Sequence, residues 1–229
     1  MSSGHAGELV KVLESANAGH NMLLDVFADF CRVFALTLEA PFTMGKLRGE
    51  IEGEYCTIMK RYDNNVQAFS TCMAITVKAL EERREEFLGR VHEEIGAANT
   101  RNGQFFTPPS VANVMARVTT PDVDYTPGEP VVINDPACGA SVTLIAGAEA
   151  LLGRGIPQRD ILVDAGDIDL RALDMSFVEL SLLGYAAVIR HENALSREIM
   201  SRPRFTPGYF IHAFPMRGWK FGRKPSAES

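Results

Sequence analysis

The sequence predicts an α/β protein with a helical front segment. Three observations carry that expectation. Apolar residues recur at three- and four-residue spacings between Leu23 and Ile95. A short apolar run, Val131 to Ile133, meets Asp135 and a tight turn with Gly139, and a helical pattern follows from Val142 past Leu152. The same alternation then recurs, with apolar runs at Ile161–Val163 and Ala186–Ile189 on either side of a helical stretch that starts near Leu170. A short apolar run before a glycine turn is a buried parallel strand, and strands alternating with helices build a parallel sheet.

Residues 1–20 are small and polar, apart from a helical stretch from Glu8 to Leu13. Leu23, Val26, Phe27, Phe30, Val33, Phe34 and Leu38 then mark a strongly apolar helix, which Pro41 ends. A second helix is expected from Leu47 to Tyr62, broken by Asp63-Asn64-Asn65, and a third from Val66 to Leu80. Glu81 to Glu86 is a charge run expected to be a solvated face or junction, after which Phe87, Leu88, Val91 and Ile95 resume the stripe. Residues 1–100 thus form a helical domain with no catalytic constellation. It is a packing or protein-interaction unit through which the chain is expected to meet a partner protein or its own copies.

Ala97 to Asn102 is a small polar linker to a second domain, residues 103–229. Thr107 suits a helix N-cap and Pro108 the first helical position, with Val111, Val114, Met115 and Val118 as the buried stripe of that helix. At the central turn Gly139 admits a ligand close to the backbone, and the following helix offers free N–H groups. The place suits a small polar ligand at the carboxyl end of a strand, although a turn of this kind also serves structure alone. Gly166-Asp167-Ile168-Asp169 ends the second strand, Asp169 is positioned to cap the next helix, and Gly184 to end it.

The net charge of −6 excludes a molecule that binds DNA by its overall field, so any nucleic-acid contact must come from a local patch. Cys31, Cys56, Cys72 and Cys138 form no Cys-x-x-Cys pair and no zinc-spaced cluster, so no metal is expected. No signal peptide and no long apolar span is present, so the expected compartment is the cytoplasm, that of a bacterial host if the gene is phage-borne, with no membrane contact.

Three stretches in this order, Gly103-Gln104-Phe105-Phe106-Thr107-Pro108, Asn134-Asp135-Pro136-Ala137-Cys138-Gly139 and Ala165-Gly166-Asp167-Ile168-Asp169, resemble the S-adenosylmethionine (SAM) motifs of the N6-adenine DNA methyltransferases. The modification subunits of type I restriction systems are included, and the likeness is nearest to small phage and prophage proteins of this kind. It covers most of the chain, since the related modification subunits also carry a helical front. It implies a truncated class I SAM-methyltransferase (Rossmann-like) domain and SAM as the cofactor. By the resemblance, Phe105, Phe106 and Thr107 close over the methionine end. Asp135 accepts from the α-ammonium while Ala137 and Gly139 approach by backbone, Asp167 and Ile168 meet the ribose, and Asn193 and Ala194 meet the adenine. Where the family usually has a second glycine this chain has Ser141, a side chain that either narrows the close approach or caps the helix.

The family's catalytic signature, Asp/Asn/Ser-Pro-Pro-Tyr/Phe after an apolar strand, holds both protons of the target amine and stacks on a flipped base. The nearest stretch here is Thr206-Pro207-Gly208-Tyr209, in which Pro207 offers a carbonyl, Tyr209 a ring and Thr206 a weaker acceptor; it serves equally as a structural turn. Beyond Ser201, Arg202, Arg204, Arg217, Lys220, Arg223 and Lys224 interleave with Phe205, Tyr209, Phe210, Phe214, Trp219 and Phe221. The mixture suits phosphate contact with base stacking, and equally a tail docked by its aromatics. The implied function is SAM-dependent methyl transfer to adenine in DNA, with slow or absent turnover expected. The alternative is an inactive SAM-binding homologue acting in phage anti-restriction or as a partner subunit of a restriction-modification methylase.

Overall fold

The structure is a computed structural model and describes residues 4–17, 22–63, 65–97, 107–121, 123–196 and 198–212. Five helices open the chain: α1 (His5–Ala16), α2 (Leu23–Glu39), α3 (Gly45–Lys60), α4 (Val66–Glu82) and α5 (Leu88–Ala97). The apolar period of α2 becomes ten buried residues, Phe27, Phe30 and Phe34 among them. Pro41 falls in a single 3₁₀ turn, Ala40–Phe42, where the α-helix stops. Asp63, at a left-handed φ of 49°, turns the chain between α3 and α4, and the Asn65 side chain caps α4 by accepting from Ala68 N at 3.2 Å.

The second half alternates α6 (Pro109–Thr119), β1 (Val131–Asp135), α7 (Val142–Gly153), β2 (Ile161–Asp167), α8 (Leu170–Leu182) and β3 (Ala186–Asn193). β1, β2 and β3 are parallel neighbours in that order, with Val131 beside Ile161 and Leu162 beside Ala186. Two short strands, β4 (Glu198–Ile199) and β5 (Arg204–Phe205), run antiparallel on the outer edge of β3, and α9 (Pro207–Ile211) follows. The sheet thus mixes a parallel core with an antiparallel rim, compatible with a Rossmann-like methyltransferase fold. The outer edge of β1 pairs with no strand among the described residues.

One face of the sheet, with Ile161, Val163, Ala165, Ala187 and Ile189, packs under α7 and α8, and α2 lies across α8. The buried apolar residues of the helical front and of this face form one continuous core. On the other face Leu162, Ala186 and Val188 meet Tyr209 of α9 and Phe205. Buried ion pairs bind the last elements to the front: Arg204 reaches Glu39 at 3.0 Å and Asp174 at 2.6 Å, and its guanidinium lies 4.2 Å from the Phe177 ring. Among the described residues, no helix is long and apolar enough to cross a membrane.

Two sequence expectations about helices need correction. α6 starts at Pro109, so Pro108, not Thr107, occupies the N-cap position, and no side chain caps it. Its buried residues are Ala112 and Ala116, whereas Val111, Val114, Met115 and Val118 are exposed. Small residues let α6 lie close on α7, and the larger side chains face outward. The charge run before α5 is solvated from Glu81 to Arg84 as expected, but Glu86 is buried, and so is Glu179 of α8.

Candidate functional site at the carboxyl ends of the parallel strands

The turn after β1 is built from its own polar groups. Asp135 Oδ1 accepts from Ala137 N at 3.0 Å, and Oδ2 accepts from the Thr143 hydroxyl at 2.6 Å. Gly139 sits at φ 55° and Ser141 at φ 68°, both left-handed. Only glycine adopts that region without steric cost, so Ser141 stores strain at the point where the chain enters α7. Its hydroxyl makes no capping bond; the turn closes instead through Ser141 N to Cys138 O at 2.8 Å. From behind, the Ser176 hydroxyl of α8 donates to Gly139 O at 2.7 Å. Burial pushes the Cys138 thiol up to about 12, so it stays protonated and packs as a small apolar group.

The turn is tied to the end of β2. Gly139 N donates to Asp167 Oδ2 at 2.8 Å, and Asp169 N to Asp167 Oδ1 at 2.9 Å. Each oxygen keeps a free lone-pair direction for a further donor. Asp169 caps α8 by accepting from Arg171 N. Ile168 is exposed, and its carbonyl meets His191 Nε2 at 3.1 Å, so this histidine is a strand-end tie. At the end of β3, Asn193 Oδ1 accepts from Leu195 N at 3.0 Å and Ser196 N at 3.2 Å, which leaves its amide N–H groups to face a ligand. Pro136, Glu192, Asn193 and Ala194 line a cavity of about 340 Å³ here. Two larger clefts, about 610 and 480 Å³, run along α6 and α7 and the outer edge of β1. We place the site at the smaller one, because it lies at the carboxyl end of β3 beside the turn after β1, where ligands of open α/β sheets bind.

The residues expected to hold SAM therefore divide as follows. Asp135, Ala137, Gly139, Asp167, Ile168, Asn193 and Ala194 lie at the carboxyl ends of β1–β3. Thr107 is half-buried and precedes α6, whereas Phe105 and Phe106 lie outside the described residues. Sequence reasoning missed Thr143, Ser176 and Glu192. A serine between Met175 and Phe177 in a buried helix was the available signal for Ser176; Thr143 and Glu192 carry none.

The expected catalytic stretch lies at the opposite end of the sheet. The Thr206 hydroxyl donates to Tyr185 O at 2.7 Å and accepts from Ala187 N at 2.8 Å, at the amino end of β3. Six residues of strand separate Ala187 from Asn193, about 20 Å at the usual rise. Thr206 is fully buried, Tyr209 packs on Phe205 with ring centroids 4.8 Å apart, and a Cβ on Gly208 would meet Tyr185 O at 2.5 Å. Thr206, Pro207 and Tyr209 form a helix start docked at the amino end of β3, not a pocket at the carboxyl ends of the strands. Arg202 and Arg204 both pair with Glu39, Arg204 from a buried position and Arg202 from an exposed one. The remaining basic and aromatic residues of the expected patch, Phe214 to Lys224, lie outside the described residues.

The carboxylates Asp135, Asp167 and Glu192, at the carboxyl ends of β1, β2 and β3, suit a ligand such as SAM, which would bring a sulfonium, an ammonium and two ribose hydroxyls, all cations or donors. No group of three or more His, Cys, Asp or Glu among the described residues is arranged to hold a metal ion. No curated protein and no solved structure matches the chain. The N-6 DNA Methylase family matches residues 84–204, more than half of the 229, spanning α5 to β5 and with them every described strand end of the site. The chain belongs to the N-6 DNA methylase family.

Proposed function

We propose that this protein binds SAM at the carboxyl ends of β1–β3 and, alone, transfers its methyl group slowly or not at all. The observation that carries this reading is the split between the two halves of the chemistry. The acceptors for the cofactor converge on one end of the sheet, while Thr206-Pro207-Gly208-Tyr209 is buried at the other. Bound SAM supplies a methyl group on a positively charged sulfur. The protein's part is to hold that group: Asp135 and Glu192 face the cationic end, Asp167 accepts from the ribose, and Asn193 offers its amide to the adenine edge. An adenine amine also needs acceptors that localise its lone pair for in-line attack, within about 3 Å of the reacting atom. In this reading the chain is a cytoplasmic SAM-binding methylase homologue. It acts in anti-restriction or as a partner subunit, with residues 1–100 and 103–229 as its two working parts.

A second reading, DNA adenine methylation by the chain itself, is favoured by the family membership and by the basic and aromatic composition of residues 213–229. There the amine would be held by residues outside the described set, and the same segment would meet DNA. Calorimetry and a methyl-transfer assay on unmodified DNA separate the two. Binding of SAM to the wild type is expected, with Asp167→Ala weakening it by about 1.5–3 kcal/mol, the worth of hydrogen bonds to a charged acceptor. No heat of SAM binding sinks both readings. Binding with brisk methylation by the purified protein favours the second.

A further inference from the structure

Taking the turn after β1 as a SAM site, we propose that two buried carboxyls, Glu86 and Glu179, act as a proton-operated brace behind it. With one proton between them the turn is set for the cofactor, and loss of that proton loosens it. Glu86 is 4% exposed and Glu179 fully buried. Glu179 Oε1 accepts from Phe87 N at 2.6 Å and Leu88 N at 2.7 Å, and Glu86 accepts from Gly89 N, so the two carboxyls meet at the first turn of α5. Glu179 Oε2 is buried and has no hydrogen-bond partner among the described residues. A bare carboxylate oxygen in such a place is costly, and a proton removes its charge. Two facing carboxyls in one dry joint do not both ionise at neutral pH, so the pair retains a proton. The brace reaches the site through Gly89: a Cβ there would meet Ala140 Cβ at 2.8 Å, so α5 lies in close contact with the turn. Ala140 follows Gly139, whose N–H donates to Asp167 Oδ2 at 2.8 Å.

The groups around the joint leave the proton with this pair. From α5 the charged neighbours are Arg90 and Glu93. Arg90 gives its Nε to the Glu86 backbone carbonyl and pairs with Glu85 at 3.3 Å, so it offsets the joint from its rim. α2 presents Cys31 and α4 Cys72, thiols that burial raises and keeps neutral. α1 buries only Leu9, Leu13 and Ala16. His92, further along α5, is held below its ordinary value by burial and is neutral before the pair gives up its proton. Burial holds the Glu86 carboxyl at about 7 and Glu179 well above the carboxylate range. As pH rises through that value a second charge enters the joint. Repulsion between α5 and α8 then takes the support from Ala140. The site binds SAM best with the proton in place, and by linkage SAM tightens the hold on that proton.

Calorimetric titration of SAM into the full-length chain between about pH 6 and 8 tests this. The dissociation constant is expected to rise at least about fivefold over that range, as a group titrating at about 7 demands. The α-amine of SAM also titrates here, ordinarily at about 7.7–8.0, and accounts for only about a two- to threefold rise. Glu86→Gln keeps an acceptor for Gly89 N and cannot ionise, so it should show only that smaller rise. Glu179→Gln, which keeps an acceptor for Phe87 N and Leu88 N, should do the same, with near-ultraviolet circular dichroism reporting that each variant is folded. The wild type alone supplies a further readout. At pH 7, where the ligand's amine is still mostly charged, binding heats in buffers of different ionisation enthalpy should show uptake of roughly half a proton. No proton uptake at pH 7, or folded variants that keep the wild-type pH dependence, overturns the brace and leaves the cofactor site standing. No SAM binding at any pH removes the cofactor site and the brace with it.

Discussion

The Thr206 hydroxyl ties the start of α9 to the amino end of β3, donating to Tyr185 O and accepting from Ala187 N. Tyr209 then covers Leu162, Ala186 and Val188, the apolar face that this end of the sheet would otherwise leave wet. These are stabilising roles, and they predict what substitution does. Truncating a buried aromatic costs about 3–5 kcal/mol through lost burial and the cavity left behind. Tyr209→Ala is therefore expected to lower the urea midpoint by a free energy of that order, while the heat of SAM binding per folded molecule stays as in the wild type. Selective loss of SAM binding with stability intact would instead return this residue to the cofactor end. The tetrapeptide resembled a catalytic motif because proline, glycine and tyrosine in that order suit a tight turn wherever it lies. What fixes its place is the register of β5 on β3, Phe205 beside Val188, a contact across seventeen residues with no local signal.

At the scale of elements, the N-terminus of α5 is a joint built on two buried carboxyls, Glu86 and Glu179. Glu179 Oε1 accepts from Phe87 N at 2.6 Å and Leu88 N at 2.7 Å, and Glu86 accepts from Gly89 N. Burial pushes the Glu86 carboxyl up to about 7 and holds Glu179 well above the carboxylate range, the facing Glu86 adding to the burial of Glu179. A carboxyl raised on folding binds its proton more tightly in the folded chain than in the unfolded one. Its stabilisation is complete below the unfolded value, about 4.3, and is lost as pH rises through the folded one. His92, held below its ordinary value by burial, works in the opposite sense but at lower pH. Thermal stability is therefore expected to fall from about pH 4.3 to about 7, with His92 offsetting part of the fall below about pH 6.5. Glu86→Gln, which keeps an acceptor for Gly89 N, should flatten that fall; an unchanged slope in melting scans would remove the pair as its cause. The charge run was legible as a junction but not as buried, because burial depends on Glu179, 93 positions further on. The helices of the front and β1 to β3 were legible because their apolar periods are long. The face of α6 was not: its residues alternate two apolar stripes, and only the position of α7 decides that alanine faces in. β4, β5 and α9 are too short to carry a period.

The whole molecule is held by one core that runs from the helical front through α8 to the sheet. Sequence reads as two domains because the front lacks strands and the rest has them. The packing joins them: α2 lies on α8, Arg32 of α2 reaches Asp174 at 3.1 Å, and Arg204 joins Glu39 to Asp174. Removing residues 1–82 would bare the α2-facing side of α8 and leave Arg204 with one of its two carboxylates. Breaking a buried pair on one side costs about 3–5 kcal/mol, a large part of the roughly 5–15 kcal/mol that holds a domain. The fragment keeps α5, which bears directly on the turn after β1: a Cβ on Gly89 would meet Ala140 Cβ at 2.8 Å. The fragment 83–229 is accordingly expected to lack cooperative unfolding and SAM binding, while the full chain melts in one transition that SAM raises. Near-ultraviolet circular dichroism and calorimetry of the fragment decide the matter. A fragment that folds and binds SAM as the full chain does would make the helical front a separable module, free to serve partners without supporting the site.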